Sequence, residues 1–291
     1  MKTPATPTSF GRIARDLFPY VLLYAFAAVM LVPFLWLFCG AFKHNQDFFG
    51  STFLPRGEGF LGVAWSRLTL DNFRTLFAET SVLRSMVNSV FLSSVTALFA
   101  TLICAMAGYA LAKYDMRSRR WLLAIVLAAV IVPPTLLLAP GYQLLFRLGM
   151  IDSFLGLILP AIAPAFGVYL FRQSSLSSVP NELIEAARID GCGEIKIFFA
   201  VAMPLLRPMI SAFLLITFLG VWNNFINPQV VLQSADKFPL SVAVAQLRGV
   251  YYQDYGLQIA GALVSVVPVL ALFLVLQREF ISGLTSGAVK E

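Results

Sequence analysis

The chain has 291 residues, of which 59% are hydrophobic and 12% charged, and its mean hydropathy is +0.81. Soluble domains carry about 25% charged residues, so this chain has too little charge for a water-exposed surface, and its composition is typical of an integral membrane protein. The formal net charge of +6 comes from basic residues in short segments between apolar runs, which argues against the contiguous basic patch of a nucleic-acid-binding protein.

Six apolar runs are each long enough to cross the hydrocarbon core of a bilayer, which takes about 20 helical residues. In chain order they are 17–42, 86–112, 121–139, 153–171, 209–232 and 257–276. The first run is longer than the apolar core of a signal peptide, so it is predicted to remain as a span. Prolines lie within or at the ends of several runs, which favours a packed bundle around a path. The predicted fold is all-α, with six transmembrane helices in residues 17–276.

Basic residues in the short connections predict the orientation. The cluster from Lys113 to Arg120 lies between the second and third runs, and the positive-inside rule places it in the cytoplasm. The N-terminal segment 1–16, the loop at about 178–208 and the C-terminal tail 277–291 are then cytoplasmic. The long loop at about 43–85 is external.

Charged side chains are missing from the interiors of all six runs. Ion-driven carriers commonly bury such groups, and a membrane enzyme needs a nucleophile with a base or a set of metal ligands. The chain also lacks the G-x-x-x-x-G-K-[ST] phosphate loop. We therefore predict no catalytic site, no metal site and no ATP hydrolysis by this chain itself.

Several uncharged polar residues do lie within the runs. They are Asn88, Ser89, Ser93, Ser94 and Thr96 in the second run, and Trp222, Asn223, Asn224 and Asn227 in the fifth. Asn223 and Asn227 are four residues apart, which predicts one helix face. Two interpretations remain open: hydrogen bonds between helices, or a path for a neutral, hydroxyl-rich solute. The candidate pathway residues are Asn88, Trp222, Asn223, Asn224 and Asn227.

The cytoplasmic loop contains the signals of a short helix. Pro180 suits the first turn, Glu182 and Glu185 complement the positive helix end, and Gly191 and Gly193 suit a chain reversal. A second helical run begins at Glu194. Ala186 and Ala187 are expected to present a low-profile surface, which favours either docking in a partner's groove or resting on lipid headgroups.

The motif Glu185-Ala-Ala-Arg-Ile-Asp-Gly191, followed by Phe198, Met203-Pro-Leu205 and Pro208, resembles the EAA loop of ABC importer permeases. Further similarity to the carbohydrate-uptake branch, and to its maltose-permease-like second subunit, covers roughly residue 70 to the end. It is carried by Asp71-Asn-Phe73, Asn88-Ser-Val90, Trp222-Asn-Asn-Phe225, Gly261-Ala262 and the tail Gly283–Lys290. Two positions depart from the family pattern: Cys192 is more often Ala, and Asn224 is more often acidic.

The resemblance implies a type I ABC importer permease fold in a bacterial or archaeal cytoplasmic membrane. It implies a second, related permease subunit, two ATPase subunits that use ATP and Mg, and an extracytoplasmic solute-binding protein that delivers a carbohydrate. The chain itself would bind no cofactor. The ATPase-coupling residues would be Glu185, Ala186, Ala187, Asp190 and Gly191.

Two other classes of function remain as alternatives. A stand-alone secondary carrier or channel for a neutral polar solute would work without ATP, and a membrane-embedded enzyme would need the missing catalytic groups. The motifs do not single out the solute: disaccharides, longer oligosaccharides, polyols and glycerol phosphodiesters are all compatible with them.

Overall fold

The computed structural model describes residues 9–247 and 254–288. In this part of the chain, fourteen α-helices are joined by turns, short 3₁₀ segments and one π-helical stretch at Phe198–Ala202. The only β pairing among these residues is two isolated bridges, Lys43–Leu68 and Arg56–Val63. The predicted all-α fold is therefore confirmed. The helices are α1 Ser9–Ala41, α2 Asp71–Glu79, α3 Val82–Lys113, α4 Arg119–Ile131, α5 Leu138–Arg147, α6 Phe154–Ala161, α7 Ala165–Ser178, α8 Asn181–Ile189, α9 Glu194–Ile197, α10 Met203–Leu205, α11 Arg207–Trp222, α12 Ile226–Val231, α13 Leu240–Gln246 and α14 Tyr255–Ala288.

Four stretches are long and apolar enough to cross a membrane, and two bent helix pairs raise the number to six if each pair is one span. The four are Leu17–Ala41, Val82–Lys113, Phe154–Ser178 and Tyr255–Val275. The bent pairs are Arg119–Ile131 with Pro134–Arg147, at 94°, and Glu194–Leu205 with Arg207–Trp222, at 82°. Six spans are thus reached only when the bent pairs are included.

Three of the predicted runs are not single continuous helices. The run 153–171 comprises α6, which ends at Ala161, and α7, which begins at Ala165. In the run 121–139, helix α4 ends at Ile131, shortly before Pro133 and Pro134. Proline has no N–H to donate to the helix, and its ring clashes with the preceding turn. The prediction of one helix through 209–232 is also wrong, since α11 ends at Trp222 and α12 begins at Ile226. Of the predicted cytoplasmic ends, residues 1–8 and 289–291 lie outside the described residues, and α14 continues to Ala288.

The chain divides into two compact units, and the first comprises Met1–Glu79 and Arg248–Leu263. Within it, Asn72 closes the end of α1: its side-chain amide donates 2.8 Å hydrogen bonds to the carbonyls of both Ala41 and Lys43. The Asn45 side chain accepts a 3.0 Å bond from the backbone N–H of Tyr255, where α14 begins. These amide contacts satisfy backbone groups that the helix ends leave open.

The second unit comprises Thr80–Leu247 and Val264–Glu291 and is centred on α3. One face of α3 carries small residues, Ala100, Cys104 and Ala105, which are fully buried in a core shared with Phe171 of α7 and Phe213 of α11. A methyl group at Gly108 would lie 2.6 Å from Cβ of Phe171, so only glycine allows this close approach. Small residues at such contacts let helices pack tightly in a membrane.

Candidate functional site

Helix α8 ends in a geometry that requires glycine. Gly191 has a φ of +77°, which is accessible to glycine at little cost. The N–H of Gly191 bonds to the carbonyl of Arg188, and the N–H of Cys192 bonds to that of Ala187, both at 3.0 Å. This pair of bonds is the Schellman motif. The chain reversal predicted at Gly191 is thus confirmed.

The two sides of α8 have different environments. Ile184 and Ala187 are 3% and 8% exposed and belong to the same core as Tyr109 of α3 and the π-helical Phe198. The opposite side leaves Glu185, Ala186, Ile189 and Asp190 exposed. The expectation that both alanines face outward is wrong for Ala187, because it lies three residues after Ile184 and therefore on the buried face.

Both ends of α8 are hydrogen-bonded to the end of α3. At the start of α8, the Lys113 ammonium donates a 2.8 Å bond to Oδ1 of Asn181. In the last turn of α8, the Arg188 guanidinium donates two bonds to the carboxylate of Glu194, the first residue of α9, at 2.8 and 3.2 Å. The Tyr114 hydroxyl donates a 3.0 Å bond to Oε2 of the same carboxylate. The segment Asn181–Glu194 is thus connected to α3 at two separate points.

The electrostatics of this cluster follow from its hydrogen bonds and burial. Burial, and then the bond to Glu194, raises the pKa of Tyr114 to about 12. The Arg188 guanidinium lowers the pKa of Glu194, to which the Tyr114 hydroxyl also contributes. At neutral pH the carboxylate therefore stays charged and the phenol stays protonated, which keeps the donor and acceptor roles fixed.

A cavity of about 390 Å³ lies between α3, α5, α6 and the α11–α12 segment. Its walls are largely apolar. The polar side chains that line it are Ser89, Ser93, Thr96, Tyr142, Asn224 and Asn227. Among the candidate pathway residues, Asn224 and Asn227 therefore line the cavity, whereas Asn88, Trp222 and Asn223 do not.

The side chains of those three residues donate hydrogen bonds to backbone carbonyls instead. The Asn88 amide donates to the carbonyls of Asp236 and Phe238, at 3.0 and 3.2 Å. Trp222 is buried, and its indole N–H donates to the carbonyl of Ser265 at 3.2 Å. The Asn223 amide donates to the Leu219 carbonyl one turn back, at 3.0 Å. Because the helix breaks after Trp222, Asn223 and Asn227 do not share one continuous helix face.

Three hydroxyl residues of α3 were not among the candidate pathway residues predicted from the sequence. Ser89, Ser93 and Thr96 all line the cavity, and their spacing of four and three residues puts them on one helix face. Ser93 is fully buried, and its hydroxyl has no hydrogen-bond partner within the described structure. The spacing was the signal that could have identified this stripe.

Asp152 holds the segment 232–239, which borders the cavity. Its side chain accepts bonds from the N–H groups of Gln233 and Ser234, at 2.9 and 3.0 Å, and from the Lys237 ammonium at 2.7 Å. These bonds hold the pKa of Asp152 well below its usual range, the bond to Lys237 having the largest effect. On the α3 side, Arg84 pairs with Asp236 at 2.9 Å. The segment is thus attached on two sides.

No group of three or more metal-ligating side chains occurs in residues 9–247 and 254–288. The described structure thus has two candidate features: the exposed side of α8 and a cavity lined in part by hydroxyl and amide groups.

Comparisons with known proteins identify the family of the chain. Residues 104–278 match the family model described as "Binding-protein-dependent transport system inner membrane component". The arabinooligosaccharides transport system permease protein AraQ of Halalkalibacterium halodurans is 39% identical over 269 residues, which are 92% of this chain and 94% of that protein. The lactose transport system permease protein LacG of Rhizobium radiobacter is 30% identical, over 97% of this chain and 99% of its own.

The fold is also found in a solved structure. A chain of a bacterial ABC transporter involved in the import of the acidic polysaccharide alginate superimposes with a TM-score of 0.79 and 22% identity, over 95% of this chain and 99% of that one. The family match covers more than half of the chain, and the relatives match along nearly all of it. The chain is a multi-pass membrane protein that belongs to the family of inner membrane components of binding-protein-dependent transport systems.

Proposed function

We propose that this chain is the permease subunit of an ATP-driven importer that takes up a carbohydrate delivered by an extracytoplasmic binding protein. The observation that carries the proposal is α8, whose buried side joins the core of the spans while its other side is free to meet a partner. The relatives that transport arabinooligosaccharides and lactose support a carbohydrate as the solute.

The exposed side of α8 suits a protein partner. Ile189 is 86% exposed, and Glu185 and Asp190 lie near it on the same helix end. A large apolar side chain beside carboxylates gains most from a groove with an apolar floor and basic rim. We assign Glu185, Ala186, Asp190 and Gly191 to this interface, with Ala187 holding the helix from behind. The partner is one of two ATPase subunits, which use ATP and Mg, and the chain itself binds no cofactor.

The cavity is proposed as part of the solute path. Asn224 and Asn227 offer amides, and Ser93 and Thr96 offer hydroxyls, to a solute rich in hydroxyl groups. Asn88 and Trp222 contribute by fixing the walls through their backbone contacts, whereas Asn223 bonds only within its own helix and is left out of the proposed path. A second, related permease subunit completes the path.

The proposed mechanism is alternating access. With α8 in the cytoplasm and the segment 232–239 outside, ATP-driven closure of the ATPase pair moves α8, and the path then opens towards the binding protein. ATP shifts the balance between the two states only by its different affinity for them.

Reconstitution of the purified complex tests the proposal. The tagged chain is expected to co-purify with two ATPase copies and a second permease, and proteoliposomes should accumulate solute only with internal ATP and external binding protein. Uptake by this chain alone that follows an ion gradient and ignores ATP would instead establish a stand-alone carrier.

A further inference from the structure

Two side chains at one end of α3 hold the two ends of the α8 segment. Lys113, the last residue of α3, bonds to Asn181 at the first residue of α8. Tyr114, the next residue, bonds to Glu194, which in turn holds Arg188 near the end of α8. The two residues are adjacent in sequence at the end of α3, and their contacts are separated by the length of α8. This arrangement restrains rotation of α8 as well as its displacement.

Apolar packing continues between these two points. The Tyr109 ring lies 5.8 Å from the Tyr114 ring, in an edge-to-face arrangement, and 5.4 Å from the Phe198 ring. Ile184, Ala187 and Phe198 share one buried core with Tyr109. Because protein cores have low compressibility and transmit strain, α8 and the end of α3 are expected to move together.

The other end of α3 lines the cavity. Ser89 and Ser93 line the cavity, and about 36 Å of helix separates Ser89 from Lys113 at 1.5 Å per residue. The helix Val82–Lys113 is continuous and has no proline inside it. A displacement at Lys113 and Tyr114 therefore has a rigid route to the cavity wall.

We propose that Lys113 and Tyr114 are positioning residues that lock the ATPase-docking helix α8 to α3, so that α3 carries the ATPase movement to the solute cavity. The inference rests on the proposed function, because it assumes that α8 is the docking helix. It adds the element that receives the movement and the two side chains that make the connection.

The test uses the complete transporter complex with Lys113→Met and Tyr114→Phe, singly and together. Both changes keep the apolar bulk and remove one hydrogen bond each. Solute-stimulated ATPase activity is expected to fall about threefold in each single variant and about tenfold in the double variant. The matched control is Tyr24→Phe, which removes a hydroxyl from a side chain that is 76% exposed on α1.

A distance measurement separates positioning from simple structural support. Spin labels at Glu182 and Asp115 report on α8 and on the residue just after Tyr114, in a background where Cys39, Cys104 and Cys192 are replaced by alanine. In the parent complex the label distance should be the same without nucleotide and with nucleotide trapped. In the double variant it should change with nucleotide, because α8 then moves without α3.

The outcomes are distinguishable. Parent-like stimulation in the double variant overturns the inference, and so does reduced stimulation with a label distance that ignores nucleotide. If the double variant does not assemble, the Tyr114→Phe variant gives the same two readouts. A wild-type preparation in which no ATPase subunit binds overturns the proposed function instead.

Discussion

The carboxylate of Asp152 and the ammonium of Lys237 form a 2.7 Å ion pair across 85 residues of sequence, and the same ammonium also donates to the Asp152 carbonyl at 2.6 Å. Asp152 has a φ of +55°, a conformation that Asp and Asn tolerate better than most residues. The pair fastens the segment 232–239 beside the cavity wall formed by Val231 and Pro239.

Asp152→Asn should loosen this segment without distorting the turn, because Asn accepts the positive φ but has no charge for Lys237. Hydrogen exchange at the amides of Gln233 and Ser234, which donate to Asp152, is expected to become about fivefold faster. Asp115→Asn, a change at an exposed carboxylate, serves as the control. Equal exchange in all three proteins would show that the ion pair does not fasten the segment.

The same contact predicts a definite pH dependence. The pKa of Asp152 is lowered in the folded protein, so its contribution is present above the unfolded value of about 3.9 and is lost as the pH falls towards the folded value. Protection of the Gln233 and Ser234 amides, corrected for the intrinsic rate, should be constant from about pH 5 to 8. A decrease near pH 6 would assign the control of this segment to another group.

Gly191→Ala should impair coupling through the backbone alone. The position has a φ of +77° and no atom near an added Cβ, so the cost is conformational, at about 1 kcal/mol. Membrane insertion should be normal, and solute-stimulated ATPase activity should fall about fivefold. Gly193→Ala is the matched control, since Gly193 has a φ of −72° and equally open surroundings. Identical behaviour of the two variants would remove the assigned role of the left-handed turn.

Sequence patterns predicted the elements of this molecule better than its contacts. Apolar runs identified the spans because the bilayer sets their minimum length, and the glycine after Asp190 marked the end of α8. The break after Trp222 was not predicted because Asn223 and Asn224 are uncharged and the nearest proline, Pro228, lies beyond the break. The role of Asp152 could not be read locally, since its partners lie about 80 residues away.

In the candidate site too, helical faces could be predicted from the sequence but tertiary contacts could not. The face of α8 that carries Glu185 and Asp190 follows from helical periodicity, whereas the burial of Ala187 depends on Tyr109 and Phe198, which lie elsewhere in the sequence. Asn88 of α3 was predicted to line the path because an unpaired amide in hydrocarbon costs several kcal/mol. In the structure, the Asn88 amide donates to two backbone carbonyls, and Asn88 does not line the cavity.

The two alanines of α8 provide a test that separates docking from folding. Ala187→Leu places a larger side chain in a packed core, which costs roughly 1–3 kcal/mol, and should lower the yield of folded protein. Ala186→Leu adds the same bulk on the exposed side, so the yield should be unchanged while co-purification of the ATPase subunits falls. Normal ATPase binding by Ala186→Leu would mean that the exposed side of α8 is not the docking surface.

Asn227→Leu and Asn223→Leu make the same chemical change at a residue that lines the cavity and at one that does not. Asn227 lines the cavity, whereas Asn223 is exposed and bonds to its own helix at Leu219. If the cavity carries the solute, Asn227→Leu should reduce solute uptake by the reconstituted complex about tenfold, because a lost amide leaves a solute hydroxyl unpaired. Asn223→Leu should stay within about twofold of the wild type. Subunit stoichiometry is measured on both variants. Equal losses of uptake with loss of the partner permease would assign both amides to helix contacts, and the solute path would then lie outside this cavity.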